Sequence, residues 1–430
     1  MSGTQGPNVV VIYADDLGWG DLGCFGADDL ATPRIDALCA SGVRLPQWYS
    51  NSPVCSPSRA SLLTGRYPAD AGVEAILGGS RRTPGLPQQP TLASELRSRG
   101  WATGIIGKWH LGADASYGPL HRGFDTHFGF RAGCVDYYSH IYYWGQENPL
   151  HDLWEDENEV WLNGEYLTDV IARRAADYIE QHADERFFLY VPFNAPHYPM
   201  HAPEKYVQRF AHLPEDRRMT AAMIAAMDDG VGEILATLER LGLRDDTIVF
   251  FSSDNGPSTE ERNWLNGEEV SYTGGSAGGL RGHKGSLFEG GIRVPAMISW
   301  PAVLPAGADN ELVGAMMDLL PTVLHAVDGD ETGLPADIHG RSLLDALRDG
   351  TADDHQRDLF WSYEAQLAVR RGRWKAVLNA SEAMRPDIAV QEGLFDLEAD
   401  PHEQVNRRDE DPRLFSELES AVGAWSRGVR

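Results

Sequence analysis

The chain has 430 residues, 42% hydrophobic and 23% charged, which suits a globular protein with a large core rather than a disordered or fibrous one. Its 37 basic and 64 acidic residues leave a net charge of −27, which argues against nucleic acid or an anionic membrane surface as a partner and demands a local cluster of cations wherever an anion is to bind. No apolar run approaches the roughly 20 residues that cross a bilayer, and MSGTQGPNVVVIY lacks the pattern of a secretory leader, so the expected location is the cytoplasm.

In chain order, the first element is the apolar run 8–14 (NVVVIYA), followed by a helix that Thr32 can cap, starting at Pro33 and ending before Gly42. Thr91 can cap a second helix that stops before Gly100, and runs 102–107, 187–193, 247–253 and 294–300 resemble the first strand in lacking polar alternation. Such runs suit strands buried on both faces of a parallel sheet. Between them, 168–183 and 217–241 carry apolar residues at helical spacing. Strands alternating with helices predict an α/β fold, a doubly wound, mostly parallel sheet with helices on both faces, over residues 1–345. From 346 to 430 the pattern changes to short strands at 359–363, 367–371, 374–378 and 393–397 and a helix at 412–427, which predicts a small α+β subdomain with antiparallel strands.

Four of the strands run directly into polar clusters: Asp15-Asp16, Lys108-Trp109-His110, Asn194-Ala195-Pro196-His197 and Asp254-Asn255. Ligands of open parallel sheets bind beyond the carboxyl ends of the strands, so these clusters are expected to converge. Asp15, Asp16, Asp254 and Asn255 together would repel one another without a cation, and all-oxygen ligation fits calcium or magnesium. The bland alternative is that each acid caps its own turn. The cysteines Cys24, Cys39, Cys55 and Cys134 have no zinc-binding or disulfide-framework spacing. Cys55 differs from the others: Ser56 as N-cap, Pro57 at the first helical position and Gly65 at the end put it just before a helix, where the dipole favours anions and lowers a thiol pKa. Cys24, Cys39 and Cys134 read as small buried hydrophobes.

Cys55-Ser-Pro-Ser-Arg59 with Thr64-Gly65-Arg66, and Gly107-Lys-Trp-His-Leu-Gly112, resemble the two signatures of the type I sulfatase family within the alkaline phosphatase superfamily. Ala14-Asp-Asp-Leu-Gly18, Ala195-Pro-His-Tyr-Pro199, Ser253-Asp-Asn-Gly256 and the segment 282–295 match in the same order. The resemblance implies a sulfatase in which Cys55 is oxidised to formylglycine by a formylglycine-generating enzyme, a transient partner. It also implies calcium, with magnesium as the other option, held by Asp15, Asp16, Asp254, Asn255 and the modified position 55. By the same carry-over Asp254 is the base for the attacking hydroxyl, Arg59 and Lys108 orient the nucleophile, His110 triggers sulfate release, and His197 and Lys284 face the leaving group.

Asp136-Tyr-Tyr-Ser-His140 resembles the arylsulfatase and N-acetylgalactosamine-4-sulfatase branch, which makes Ser139 and His140 candidate substrate contacts beside Lys108, His197 and Lys284. Residues 137–161, rich in Tyr and Trp, form either a platform for a sugar or aryl ring or ordinary packing. His325, His339 and His355 read as structural, Trp19, Trp109 and Phe288 as packing, and Gly290 and Gly291 as sites of close backbone approach. The expected substrate is a small sulfate ester. Hydrolysis of a phosphomonoester or phosphonate ester by the same nucleophile is the second reading, and an unconverted metal-binding protein the third.

Overall fold

All seven residues of the strand Asn8–Ala14 are buried, and a strand without a solvent face must lie inside a sheet. In the computed structural model, which describes residues 6–142, 149–259, 272–351, 357–382 and 391–428, this strand pairs in parallel with Phe187–Pro192 on one side and Thr247–Ser253 on the other. The ten-stranded sheet runs Ala308–Asp309, Val43–Arg44, Ala296–Ser299, Thr247–Ser253, Asn8–Ala14, Phe187–Pro192, Ala102–Lys108, Thr126–Phe130, Trp154–Glu155, Asn158–Glu159. Its side chains sort by the period of two: Val10, Ile12 and Ala14 join one core, Val9, Val11 and Tyr13 the other. Helices Pro33–Ala40, Leu167–Gln181 and Glu215–Arg240 cover the first face. Cys55–Thr64, Leu92–Ser98 and Leu319–Asp328 cover the second, giving the expected fold class.

Three local expectations need correction. The run 294–300 yields the strand Ala296–Ser299, which is antiparallel to Thr247–Ser253, with Phe251 opposite Met297. The chain turns back at the carboxyl end of Thr247–Ser253, where Gly256 N–H donates to Gly291 O, and so re-enters the sheet without a crossover. Thr32 does not cap its helix: its hydroxyl donates to Asp36 Oδ1 and accepts from Gly23 N–H, while Asp228 takes the free N–H groups of Arg34 and Ile35. Thr91 does cap, accepting from Ser94 N–H at 3.1 Å. The third correction concerns Cys55, which is itself the first residue of the helix Cys55–Thr64; extended Val54 precedes it, and the Ser56 hydroxyl instead accepts from Leu77 N–H.

The strands Asp358–Tyr363, Gln366–Arg371, Trp374–Ala380 and Gln391–Asp396 form a separate antiparallel sheet in that order. Helix Pro412–Gly428 packs on one face of it through Phe415, Leu418 and Val422. Its other face meets the larger unit around Trp361 and Phe395, and inside that seam Lys375 bridges Glu289 at 2.9 Å and Glu403 at 3.0 Å, all three fully buried. Among the described residues no helix is long and apolar enough to cross a membrane.

His127, in the strand Thr126–Phe130, is 2% exposed and neither ring nitrogen has a hydrogen-bond partner. Burial, reinforced by Arg131, lowers its pKa to about 3, so the folded chain refuses a proton that the unfolded chain accepts near pH 6.5. Its contribution to stability is therefore complete above about pH 6.5 and is lost as pH falls toward 3, at up to about 1.4 kcal/mol per pH unit. Thermal midpoints between pH 7 and 4 should fall less steeply for His127→Phe than for the unaltered protein; parallel curves would contradict this account.

Candidate active site

The carboxyl ends of the central strands bring the predicted groups together. Asp15 and Asp16 end the strand Asn8–Ala14, and Asp254 and Asn255 end its parallel neighbour, with Asp16 N–H donating to Asp254 Oδ1 at 3.1 Å. Asn255 Nδ2 donates to Asp16 Oδ1 at 2.7 Å. From the other flank, Lys108 Nζ donates to both oxygens of Asp15 at 2.8 and 2.6 Å. Arg59 donates to Asp254 Oδ2 through Nε at 3.0 Å and Nη2 at 2.7 Å, and its Nη2 lies 3.3 Å from Asp15 Oδ1. Lys284 Nζ donates to Asp16 Oδ2 at 2.9 Å. Each acid thus has its own cation, and Arg59, Lys108 and Lys284 are the cluster that the net charge of −27 required.

These acids do not ionise alike. Burial pushes Asp15 up to about 8 against the pull of Lys108, with Asp254 adding to the rise. Burial also works against ionisation of Asp254, but Arg59 and Lys108 outweigh it and hold that carboxyl well below the usual range. Lys284 and His197 likewise lower Asp16 against the effect of burial. Without a further cation, one of three crowded carboxylates is driven toward its protonated form.

Cys55 is 1% exposed, with Sγ 3.9 Å from Asp16 Oδ1. The helix start was expected to lower its thiol pKa; instead burial, with Asp254 next, raises it well above the ordinary value. Desolvation and a nearby carboxylate outweigh the helix dipole, so the plain thiol stays protonated. Tyr13 and Ser50 both hydrogen-bond Ser58 in the same helix, at 3.0 and 2.8 Å, and the Ser50 hydroxyl also donates to Asp254 O at 2.6 Å. Ser50 escaped the sequence reading because a lone serine carries no motif signal, and Ser58, although inside Cys55-Ser-Pro-Ser-Arg59, had been given no role.

Two histidines have their tautomers fixed by backbone carbonyls. His197 Nδ1 lies 2.6 Å from Tyr198 O and must carry the proton, so Nε2 presents a lone pair to Lys284 Nζ at 3.3 Å and lies 3.6 Å from Asp16 Oδ2. Burial lowers its pKa to about 3, keeping it neutral although Asp16 opposes the shift. His110 Nε2 lies 2.8 Å from Leu77 O and donates to it, leaving a buried Nδ1 lone pair without a partner. Burial, then the charges of Lys108 and Arg59, hold His110 well below the usual histidine range. Gly133 lets this ring sit where it does: a Cβ there would lie 2.6 Å from Nε2.

Ser139 and His140 make their contacts elsewhere: Ser139 closes a turn on Asp136 Oδ1, and His140 Nε2 meets Glu165 O at 3.2 Å. Tyr137 is fully buried, and its hydroxyl reaches Asn194 O at 2.7 Å and His197 O at 2.8 Å, so this tyrosine braces the His197 loop. Trp161 is 61% exposed and stacks on His151 at 3.6 Å, while Trp144 and His355 lie outside the described residues. Trp109 and Phe288 are packed in the core, and His325 and His339 pair with Ser342 and Asp70. Gly256, Gly290 and Gly291 are needed at a close crossing, since a Cβ on any of them would collide with neighbouring backbone oxygens. A cleft beside Asp16 is lined by Pro196 and Tyr198, which belong to the segments singled out in the sequence, and by Met200, Thr220, Ser258 and Tyr272, which the sequence reading had not named.

One ligand atom from each of Asp15, Asp16, Cys55 and His197 falls within 4.8 Å of the others. The buried Asn255 Oδ1, which has no hydrogen-bond partner, adds another donor. Crowded carboxylates and an orphaned amide oxygen suit a hard divalent cation. Sequence reasoning had put His197 on the leaving-group side only, whereas its Nε2 also borders this cluster.

A sulfatase family model matches residues 7–329, and a model for the C-terminal part of N-sulphoglucosamine sulphohydrolase matches 283–421. The chain is 35% identical over 396 residues to N-acetylgalactosamine-6-sulfatase of Canis lupus familiaris, covering 86% of this chain and 72% of that protein. It is 32% identical over 451 residues to arylsulfatase A of Homo sapiens, covering 93% and 83%. Among solved structures, Ps i-CgsB superposes with a TM-score of 0.86 at 29% identity over 98% of this chain and 93% of that one. Phosphonate monoester hydrolase of Agrobacterium radiobacter shares the fold, with a TM-score of 0.68 at 20% identity over 99% and 96% of the two chains.

If the acids at these strand ends hold a divalent cation, adding Ca2+ to chelator-treated protein raises its thermal midpoint. The gain is about 2.7 kcal/mol at one hundred times the dissociation constant. Asn255→Ala and Asp16→Ala should each shrink that shift. An unchanged midpoint with both Ca2+ and Mg2+ would contradict the assignment.

Proposed function

This chain belongs to the sulfatase family and is a sulfuric ester hydrolase, and from that premise we propose that it cleaves the sulfate monoester of a sugar or aryl alcohol, using a formylglycine made from Cys55 beside a bound calcium ion. The observation that carries the reading is the setting of position 55. A buried cysteine whose thiol is held protonated is a poor nucleophile, yet it stands at a helix start among Arg59, Lys108 and Lys284, where a sulfate group would be held. The segment from Cys55 to Arg59 is what a formylglycine-generating enzyme, the proposed transient partner, would recognise. Once hydrated, the aldehyde supplies two hydroxyls on one carbon, one to attack sulfur and one whose deprotonation later frees sulfate. Asp15, Asp16, Asp254 and Asn255 would hold the calcium ion, which when bound would supply Lewis-acid polarisation at this site. Calcium is preferred to magnesium because buried carboxylates would replace most of the water that magnesium keeps.

The chain's own groups then take distinct roles. Asp254, held ionised by Arg59, accepts the proton of the attacking hydroxyl. Arg59 and Lys108 orient the hydroxyls. His110 offers the free Nδ1 lone pair that a base for the release step needs. Lys284 is the proton donor to the leaving oxygen, and neutral His197 positions it by accepting from Nζ. As substrate contacts, Ser139 and His140 would first have to give up Asp136 and Glu165, so the proposal puts them outside the sulfate subsite. The substrate is proposed to be small, since a polyanionic chain would meet the repulsion of the net charge.

Lys284→Ala should reduce kcat/KM for a sulfated sugar by about 100-fold or more, but for nitrophenyl sulfate, whose leaving group needs little help, by less than about tenfold. Steady-state rates on the two esters, beside the matched nitrophenyl phosphate, test the reading. Equal losses on both sulfates would remove Lys284 from the leaving-group side, and a preference for the phosphate would overturn the sulfate assignment.

A further inference from the structure

Cys24 and Cys39 lie 15 positions apart in sequence, away from the acid cluster, and fold onto each other. Cys39 is buried on the helix Pro33–Ala40, one turn beyond Asp36, and residues three apart share a helix face. Asp36 Oδ1 accepts the backbone N–H of Cys24 at 2.8 Å, which lays the partly exposed Cys24 over that face. Arg44 closes the arrangement, donating through Nη1 to Cys24 O at 2.7 Å. The two thiols lie close enough to perturb each other, the Cys24 pKa being raised and that of Cys39 lowered, and Arg44 favours the Cys39 thiolate against the opposing effect of burial.

We propose that Cys24 and Cys39 are a reactive dithiol that closes to a disulfide in an oxidising environment, pinning the segment after Asp15-Asp16 to the helix Pro33–Ala40. With glutathione disulfide as oxidant the steps balance. Cys24 passes its proton to Cys39 as its sulfur attacks, giving a Cys24–glutathione mixed disulfide and one glutathione thiolate. Cys39 then loses that proton and displaces the second glutathione from Cys24. Two protein thiols are oxidised by two electrons, and one glutathione disulfide becomes two glutathiones. Closing this loop raises stability mainly by restricting the unfolded chain. This inference does not depend on the function proposed for position 55.

The test is to incubate the full chain in glutathione disulfide, then determine its free thiols, its intact mass and a peptide map. Expected are a fall of two thiols, a loss of two hydrogens without glutathione retained, a linked pair of peptides carrying residues 24 and 39, and a higher thermal midpoint. Cys24→Ser and Cys39→Ser should lose the linkage and the midpoint rise; in the Cys39→Ser protein, glutathione should stay on Cys24. A folded protein that keeps both thiols, or that holds glutathione on Cys24 with Cys39 intact, overturns the proposal.

Discussion

Three carboxylates buried side by side at the ends of two parallel strands are the constraint on which the rest of the architecture turns. Asp15, Asp16 and Asp254 are each essentially inaccessible, and such a group of charges is tolerated only if cations come to it. Lys108 arrives from the end of a third strand, Arg59 from the helix that opens at Cys55, and Lys284 from the loop that returns the chain to the sheet. These partners come from positions 59, 108 and 284, so the acid cluster ties distant stretches of chain to one point. The same neutralisation makes the pocket attractive to an anion in a molecule of strongly negative charge.

The smaller sheet takes part in this arrangement from a distance. Lys375 lies between Glu289 and Glu403, Glu403 also accepts the Glu289 N–H, and Tyr49 and Arg370 complete the buried network. Glu289 precedes the glycine pair that crosses Gly256, next to Asn255. The seam between the two sheets therefore fixes the backbone on which one predicted metal ligand sits. Removing a single partner from so enclosed a network would leave an uncompensated charge, a larger penalty than losing an exposed ion pair.

Much of this was legible in the sequence because the signals were local and strong. Unbroken apolar runs marked the buried strands, and polar pairs directly after them marked the shared edge, so Asp15, Asp16, Lys108, His197, Asp254 and Asn255 were found together before any geometry was known. What escaped depended on tertiary context. Thr32 and Ser56 have the right chemistry to cap, but Asp36 and Leu77 claim their hydroxyls. The direction of Ala296–Ser299 follows from where the preceding loop leaves the sheet, which its composition does not encode. The Cys55 thiol was expected to be acidic because a helix start is visible in sequence, whereas the desolvation that reverses the effect is not. The cleft residues Met200 and Tyr272 come from separate loops and Thr220 from the helix Glu215–Arg240, and they share no motif.

The account rests most heavily on the chemical state of position 55. The decisive measurement takes preparations expressed with graded amounts of a formylglycine-generating enzyme, quantifies aldehyde in the peptide containing residue 55 by mass spectrometry, and plots this fraction against turnover of an aryl sulfate. The account predicts a straight line through the origin, with unconverted protein inactive though folded. Equal turnover by protein that carries only cysteine at this position would contradict it.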